Sequence, residues 1–441
     1  MKNTMKKLLS LILAAIMLLT AMPMAFAEGN TYKVGDIVQF GSYPQSKVTD
    51  EAIIAELNTL APEWDDWTSF GYFLGTGDYG TMVKGDWMRY IDITHDANKY
   101  RGVKFIQYRP YVTYDTSSYT NTNQHNNGYS TNTVYWFKFE PIDWRVLNPA
   151  TGLVMCETII DSQPYNNTIY YNGSLSGYFN NDLCEIYASD YETSSIRKWL
   201  NEDFYNTSFS VSEKKKISTT TLNNNGYYTS VGTTGYENLD SNETKDKIFL
   251  LSYNEVINNN FGFNSSSSVC DTARRTQGSD YAQSQGLYVY RSLGDTYDGN
   301  SNWLLRSPGN YSVYSCRVGY DGNSNGVYLI GSTNIGVRPA LNVDLTSDVV
   351  QPQHKHNYST DITVSTCTEQ GYTTYICECG DSYVDNYVDT VNHKDDNADY
   401  LCDYGCGYEF EKPAPEEELN FFEKIIQWFK DLFAKLFGWM K

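Results

Sequence analysis

The chain has 441 residues, enough for two or three domains, and its 41% hydrophobic and 15% aromatic content can supply a true core, which excludes a disordered polypeptide. A formal net charge of -20 creates a field that repels nucleic acid and anionic lipid, so neither is expected as the main partner.

Lys2, Lys6 and Lys7 precede an uncharged apolar stretch over residues 8–20, and Ala25-Phe26-Ala27 is the small-x-small pattern that a signal peptidase cuts. Residues 1–27 therefore read as a secretory signal peptide, rather than a retained anchor, and the mature chain is expected to start at Glu28 and work outside the cytoplasm. No later stretch has the roughly 18 uncharged apolar residues of a spanning helix.

Residues 28–347 are expected to form one β-rich domain. Tyr135-Trp136-Phe137-Lys138-Phe139 and Ile142-Asp143-Trp144-Arg145-Val146-Leu147, split by Pro141, predict paired strands, and residues 103–114, 153–158, 248–251, 303–306 and 327–330 also read as strands. Helices are few. Ser252 and Glu255 form a capping-box pattern opening residues 253–260, and Ile196, Trp199 and Leu200 sit at helical spacing within residues 194–200. The expected class is α+β, dominated by β.

Tyrosine occurs 39 times, interleaved with Asn, Ser, Asp and Gly, as in Tyr165-Asn166-Asn167-Thr168-Ile169-Tyr170-Tyr171-Asn172-Gly173. Rigid amphipathic rings beside small hydrogen-bonding groups are the material of recognition surfaces. An extracellular β-protein with ordinary polar loops has the same composition.

Two short motifs fail on context. Gly322-Asn323-Ser324-Asn325-Gly326 fits the nucleophile-elbow pattern, but no helix follows it and the later histidines all lie in the tail, so it reads as a hairpin loop. Gly75-Thr76-Gly77-Asp78-Tyr79-Gly80 fits a dinucleotide fingerprint, yet no convincing helix opens after it and Asp78 would repel phosphate. It reads as a turn.

Cys156, Cys184, Cys270 and Cys316 are expected to form two disulfides, with reduced buried thiols as the competing account. Asp295, Asp298, Asn300 and Asn302 precede the Trp303 strand, and Asp321, Asn323 and Asn325 follow it. These hard oxygens suit calcium, but the closing bidentate Glu of an EF-hand is missing, so calcium is disfavoured though not excluded.

Phe40-Gly41-Ser42-Tyr43-Pro44-Gln45, Trp144-Arg145-Val146-Leu147, Ser195-Ile196-Arg197-Lys198-Trp199-Leu200-Asn201, Trp303-Leu304-Leu305-Arg306-Ser307-Pro308-Gly309 and Gly336-Val337-Arg338-Pro339-Ala340-Leu341 occur in order over about residues 33–345. Together they resemble an uncharacterised domain family of exported proteins from Gram-positive gut bacteria, which has no settled function. At greater distance the Trp-x-x-Arg-Ser motif with a closing Gly-x-Arg resembles the end of C-type-lectin-like and formylglycine-generating-enzyme-like domains. That likeness implies long loops on a β frame, residues 48–102 as a loop-rich insertion, and a ligand face of Tyr297, Asp298, Asn300, Asn302, Trp303, Arg306, Tyr311, Tyr314, Tyr320, Asp321 and Asn323. No cysteine pair matches the copper site of the second family.

Residues 348–353 read as a linker to a small module over residues 354–410, where His356, Cys367, Cys377, Cys379, His393, Cys402 and Cys406 concentrate. Such thiolate and imidazole density suits a structural zinc ion, and a segment this small needs a staple; disulfides or free thiols are the alternative. The stretch resembles a repeat found at the ends of exported proteins of similar bacteria. Its usual Cys-x-x-Cys-Gly pairs are altered here, to Cys377-Glu378-Cys379 and Cys402-Asp403-Tyr404-Gly405-Cys406.

A Pro/Glu linker over residues 411–418 leads to residues 419–441, where Phe422, Ile425, Ile426, Phe429, Leu432, Phe433, Leu436 and Phe437 recur at helical spacing, with Trp428 and Trp439 as interfacial anchors. The expected helix can lie on a membrane, pair with a partner or fold back on its own chain.

The expected function is an exported, envelope-associated binding protein that recognises a glycan or a protein. The alternatives are a secreted enzyme acting on cell-wall or dietary glycans, which needs two carboxylates facing one cleft, and a purely structural surface protein.

Overall fold

Residues 134–148 run as one strand through Pro141 instead of two paired ones. Pro141 lacks a backbone donor, and the strand meets it where one ladder is interrupted: along that edge its partners cover residues 134–138 and then 144–148. The gap falls at the proline.

The computed structural model describes residues 32–61, 68–76, 81–110, 122–167, 169–181, 183–234, 236–353, 358–377, 382–413 and 420–437, without the side chains of 68–76, 81–86 and 437. The expected signal peptide, His356, Cys379 and Trp439 lie outside the described residues. The chain divides into two compact units, Met1–Gln353 and His354–Lys441.

In the large unit, β1 (Ile37–Lys47), β2 (Thr68–Thr76), β3 (Thr81–His95), β4 (Asn98–Phe105), β5 (Val134–Asn148) and β6 (Leu153–Cys156) lead to the short β7 (Asp161–Ser162), β8 (Tyr170–Asn172) and β9 (Gly177–Phe179). Then come β10 (Ile217–Ser218), β11 (Thr220–Asn224), β12 (Ser241–Asp246), β13 (Ile248–Phe249), β14 (Trp303–Pro308), β15 (Tyr314–Val318), β16 (Gly326–Leu329), β17 (Gly336–Val337), β18 (Ala340–Val343) and β19 (Gln351–Pro352). The main sheet runs β10-β18-β6-β5-β4-β3-β2, with β1 on the other edge of β5. A second sheet runs β16-β15-β14-β17-β7, and β8-β9 and β11-β12 are separate hairpins.

Several expectations need correction. Residues 48–102 are not loop-rich: they hold a helix, Glu51–Leu60, capped by the Asp50 carboxylate, and the β2-β3-β4 meander. The Ser252/Glu255 capping box forms, with both backbone amides bonded across it, but it opens only the 3-10 turns Glu255–Ile257 and Asn259–Phe261. Residues 348–353 are not a free linker, because Val350 is buried and β19 pairs with β1. Burial of one valine and a short ladder suffice to hold them.

The core carries Trp87, Trp136, Trp144 and Trp303, all fully buried. Three buried arginines do the work of polar rivets. Arg274 donates to the carbonyl oxygens of Val256, Asn264, Ser266, Val269 and Gly322, so a single side chain pins a long irregular loop. Arg338 donates to the carbonyls of Cys156, Glu157 and Arg274 and lies over the Trp303 ring. Arg109 donates to the carbonyls of Ser162 and Gln285.

Two glycines of the ordered motifs are set by space. Gly41 has φ +69°, and a Cβ there would stand 2.5 Å from the Phe209 ring; at Gly336 it would stand 2.6 Å from Ile159.

In the small unit, β20 (Tyr358–Thr363), β21 (Gly371–Cys377) and β22 (Ser382–Val388) form an antiparallel sheet with little buried apolar surface, and a helix spans Phe421–Phe437. No helix among the described residues is long and apolar enough to cross a membrane.

Candidate functional site

The small unit brings four of its expected ligands together. The donor atoms of Cys367, His393, Cys402 and Cys406 all lie within 4.8 Å of one another. Cys367 sits in the turn after β20, where the Thr366 amide donates to the Glu369 carbonyl and the Val391 amide to the Thr366 carbonyl; the other three come from the irregular chain after β22. Cys367 Sγ and Cys402 Sγ are 3.6 Å apart, and Cys406 Sγ is 3.4 Å from His393 Nδ1. A tetrahedral site with bonds of about 2.3 Å to sulfur and about 2.0 Å to nitrogen has edges of about 3.8 and about 3.5 Å. These two edges are close to those values, and the four residues form a Cys3His group able to hold a metal such as zinc.

Its surroundings prepare the donors. The His393 ring stacks on Tyr408 at 4.0 Å, fixing its plane. Gly405 and Gly407 take positive φ on either side of Cys406, which lets the chain turn Cys406 back toward Cys402. Burial opposes ionisation of Cys402, but hydrogen bonds from the Lys394 amide, His393, the Tyr404 amide and Cys406 outweigh it and bring the thiol down to about 6. Burial and hydrogen bonds with Cys406 and Cys402 push Cys367 up to about 12. Cys377 is buried in β21, outside the group.

The expected disulfides do not form among Cys156, Cys184, Cys270 and Cys316. Cys156 and Cys316 are thiols inside the core, where burial pushes each up to about 12, while Cys270 is an exposed thiol near Asp321. Cys184 Sγ accepts from Asn172 Nδ2 at 3.1 Å.

The expected ligand face separates into frame and surface. Trp303 is fully buried, its Nε1 donating to the Arg274 carbonyl, so it belongs to the core. Arg306 is buried and spends its donors on Glu255 and the carbonyls of Leu250 and Asn223. Asn300 is also buried, and Asn302 Oδ1 accepts from Arg317 Nη1 and the Tyr320 amide. Asp298 accepts the Ser292 amide and Asp321 the Asn323 amide. The side-chain oxygens of Asp298, Asn302 and Asp321 thus already accept hydrogen bonds from the chain itself, Asn302 from residues of and beyond β15.

The tyrosines remain as surface. Tyr290 and Tyr320 stack at 4.0 Å and Tyr297 meets Tyr320 edge-on. Tyr311, 62% exposed, lies against Tyr314. A second stack, Tyr228 on Tyr236 at 4.1 Å, escaped sequence reasoning because its members fall on a short helix, Tyr227–Ser230, and an irregular loop with no period to reveal them. Burial, Tyr236 and then Tyr311 raise the Tyr228 hydroxyl, so Tyr311 lies within electrostatic reach of that stack.

Beside it opens a cleft of about 560 Å³, between β11, the 252–261 turns and the Tyr227–Ser230 helix. Glu255 and Arg306 are its charged lining residues, and they pair with each other. Burial would raise the Glu255 carboxyl, but Arg306 and the Ser252 amide lower it further, and the net shift is down. A second crevice of about 420 Å³ gathers Glu192, Glu202 and Asp246. There Asp246 pairs with Arg197 at 2.8 Å, Glu192 accepts from Asn242, and Glu202 faces Lys198 at 4.0 Å.

Residues 180–345 match the family described as Domain of unknown function (DUF6273). The match takes in β10 to β18, and with them the tyrosine face and most of the cleft, whose lining residues Asn148, Thr151 and Leu153 lie outside it. No curated protein and no solved structure matches the chain.

Proposed function

We propose that this is an exported, envelope-associated binding protein. Its large unit recognises a glycan or protein in the manner of a C-type-lectin-like domain, displaying loops on a β frame. Its small unit is stapled by zinc, and its C-terminal helix retains it at the outer face of the envelope. The observation that carries this reading is the stacked Tyr228/Tyr236 pair with Tyr311 near it, since Tyr236 and Tyr311 are each 62% exposed. Aromatic rings held rigid at the surface supply contact area at low entropic cost. Hydrolysis of a glycan would need two free carboxylates in one cleft, and the larger cleft contributes Glu255 alone, already paired to Arg306.

In the helix, Phe422, Ile426, Trp428 and Leu436 are each more than half exposed, the pattern of a segment that lies on an apolar surface. Purified mature protein incubated with isolated cell envelopes tests the whole reading. Retention should fall several-fold in Tyr236→Ala and Tyr311→Ala together. Envelopes that fail to retain the wild type would refute the reading.

A further inference from the structure

We infer that the cleft beside the Tyr227–Ser230 helix binds an uncharged oligosaccharide; this deepens the binding reading above and rests on it. The volume of about 560 Å³ lies within the range of ligand pockets, about 300–1,000 Å³. The character of its walls decides the ligand class.

Charge is cancelled before any ligand arrives. All five Arg306 N–H groups are occupied, by the Glu255 carboxylate, the Leu250 carbonyl and the Asn223 carbonyl. Among the described residues that line the cleft, no free cation is left to hold a carboxylate, sulfate or phosphate. Glu255 in turn receives Arg306 on both oxygens and the Ser252 amide on one, so a cationic ligand finds no free anion. An ionic ligand would have to break a pair in which the Arg306 side chain is 3% and the Glu255 side chain 25% exposed, a larger cost than a fully exposed pair imposes.

Neutral hydrogen-bonding capacity, in contrast, stays open. Among the described residues the side chains of Thr221, Asn225, Ser230 and Asn254 line the cleft and make no hydrogen bond. Hydroxyl and amide groups both donate and accept, as sugar hydroxyls do. Among the apolar lining residues Leu153, Leu222 and Phe249 are buried in the floor, and the part-exposed Phe261 offers the ring edge or face that the C–H face of a pyranose can meet. A peptide adding as a strand would need an uninterrupted edge on β11, and Arg306 already holds the Asn223 carbonyl.

Isothermal titration of the full mature chain tests this, using glucan, mannan, xylan and chitin hexasaccharides as uncharged probes and oligogalacturonate as the charged one. At least one uncharged probe should bind, with affinity unchanged by added salt. Asn225→Ala and Asn254→Ala should each weaken it about tenfold, with unaltered thermal unfolding, because neither side chain holds the fold. Binding of oligogalacturonate alone would overturn the inference, as would the absence of any saccharide binding. Saccharide binding that survives both cleft variants but disappears in Tyr236→Ala would overturn the cleft while leaving the broader binding reading intact. Loss of envelope retention by the wild type would remove that reading itself.

Discussion

Cys367 and Cys402 are separated by 35 positions in the chain and by 3.6 Å between their sulfurs. One follows the first strand of the small sheet and the other lies beyond the last, so the approach ties together the two halves of a unit with little apolar burial of its own.

The protein should therefore carry one zinc ion per chain, read by elemental analysis after purification under reducing conditions. Cys402→Ala or chelation should abolish it and unfold the small unit while the large unit's melting transition stays in place, because metal-binding energy is folding energy in such modules. Full thermal stability of the small unit in the metal-free protein would contradict the staple.

Glu255→Gln should destabilise the large unit by about 2 kcal/mol in denaturant titrations, less than the 3–5 kcal/mol of a fully buried pair because the carboxylate is 25% exposed. The pH dependence has a definite sign. A carboxyl whose folded pKa is lowered contributes stability above its unfolded value of about 4.3, and that contribution is lost as pH falls through the lower folded value. Acid unfolding curves of wild type and Glu255→Gln should thus converge at low pH.

Arg274→Met should cost at least 3 kcal/mol, since it removes the partner of five carbonyl groups at once. Faster amide exchange over residues 256–271 would report the released loop.

Tyr236→Ala should leave the melting temperature almost unchanged, because the ring is 62% exposed, yet weaken envelope retention. Equal losses of stability and retention would place the ring in the frame instead.

Phe422→Glu with Phe429→Glu should release the protein from neutral phospholipid vesicles in a flotation assay. Both side chains are exposed on the Phe421–Phe437 helix, and charge on that face opposes interfacial insertion. Unchanged flotation would remove the retention role.

Much of the frame was legible locally. The amphipathic Phe421–Phe437 helix follows from apolar spacing alone, and the β6, β14 and β16 strands from short aromatic and β-branched runs. Misreadings came where distant partners decide. Pro141 looked like a break because the sequence does not show that the ladder on one edge is interrupted there. Trp303 and Arg306 looked like ligand groups because an exposed aromatic or arginine and a buried one are spelled alike.

By itself, the sequence determined the β-dominated class, the terminal helix and the concentration of thiols and imidazoles in the tail, since periodicity and composition act over neighbouring residues. Only the tertiary structure decided that Cys367, His393, Cys402 and Cys406 meet while Cys377 does not, and that Arg306 is spent on Glu255 at the wall of a neutral cleft. Convergence of side chains depends on the path of the intervening chain, and that path is set by long-range sheet pairing and burial, which no local pattern encodes.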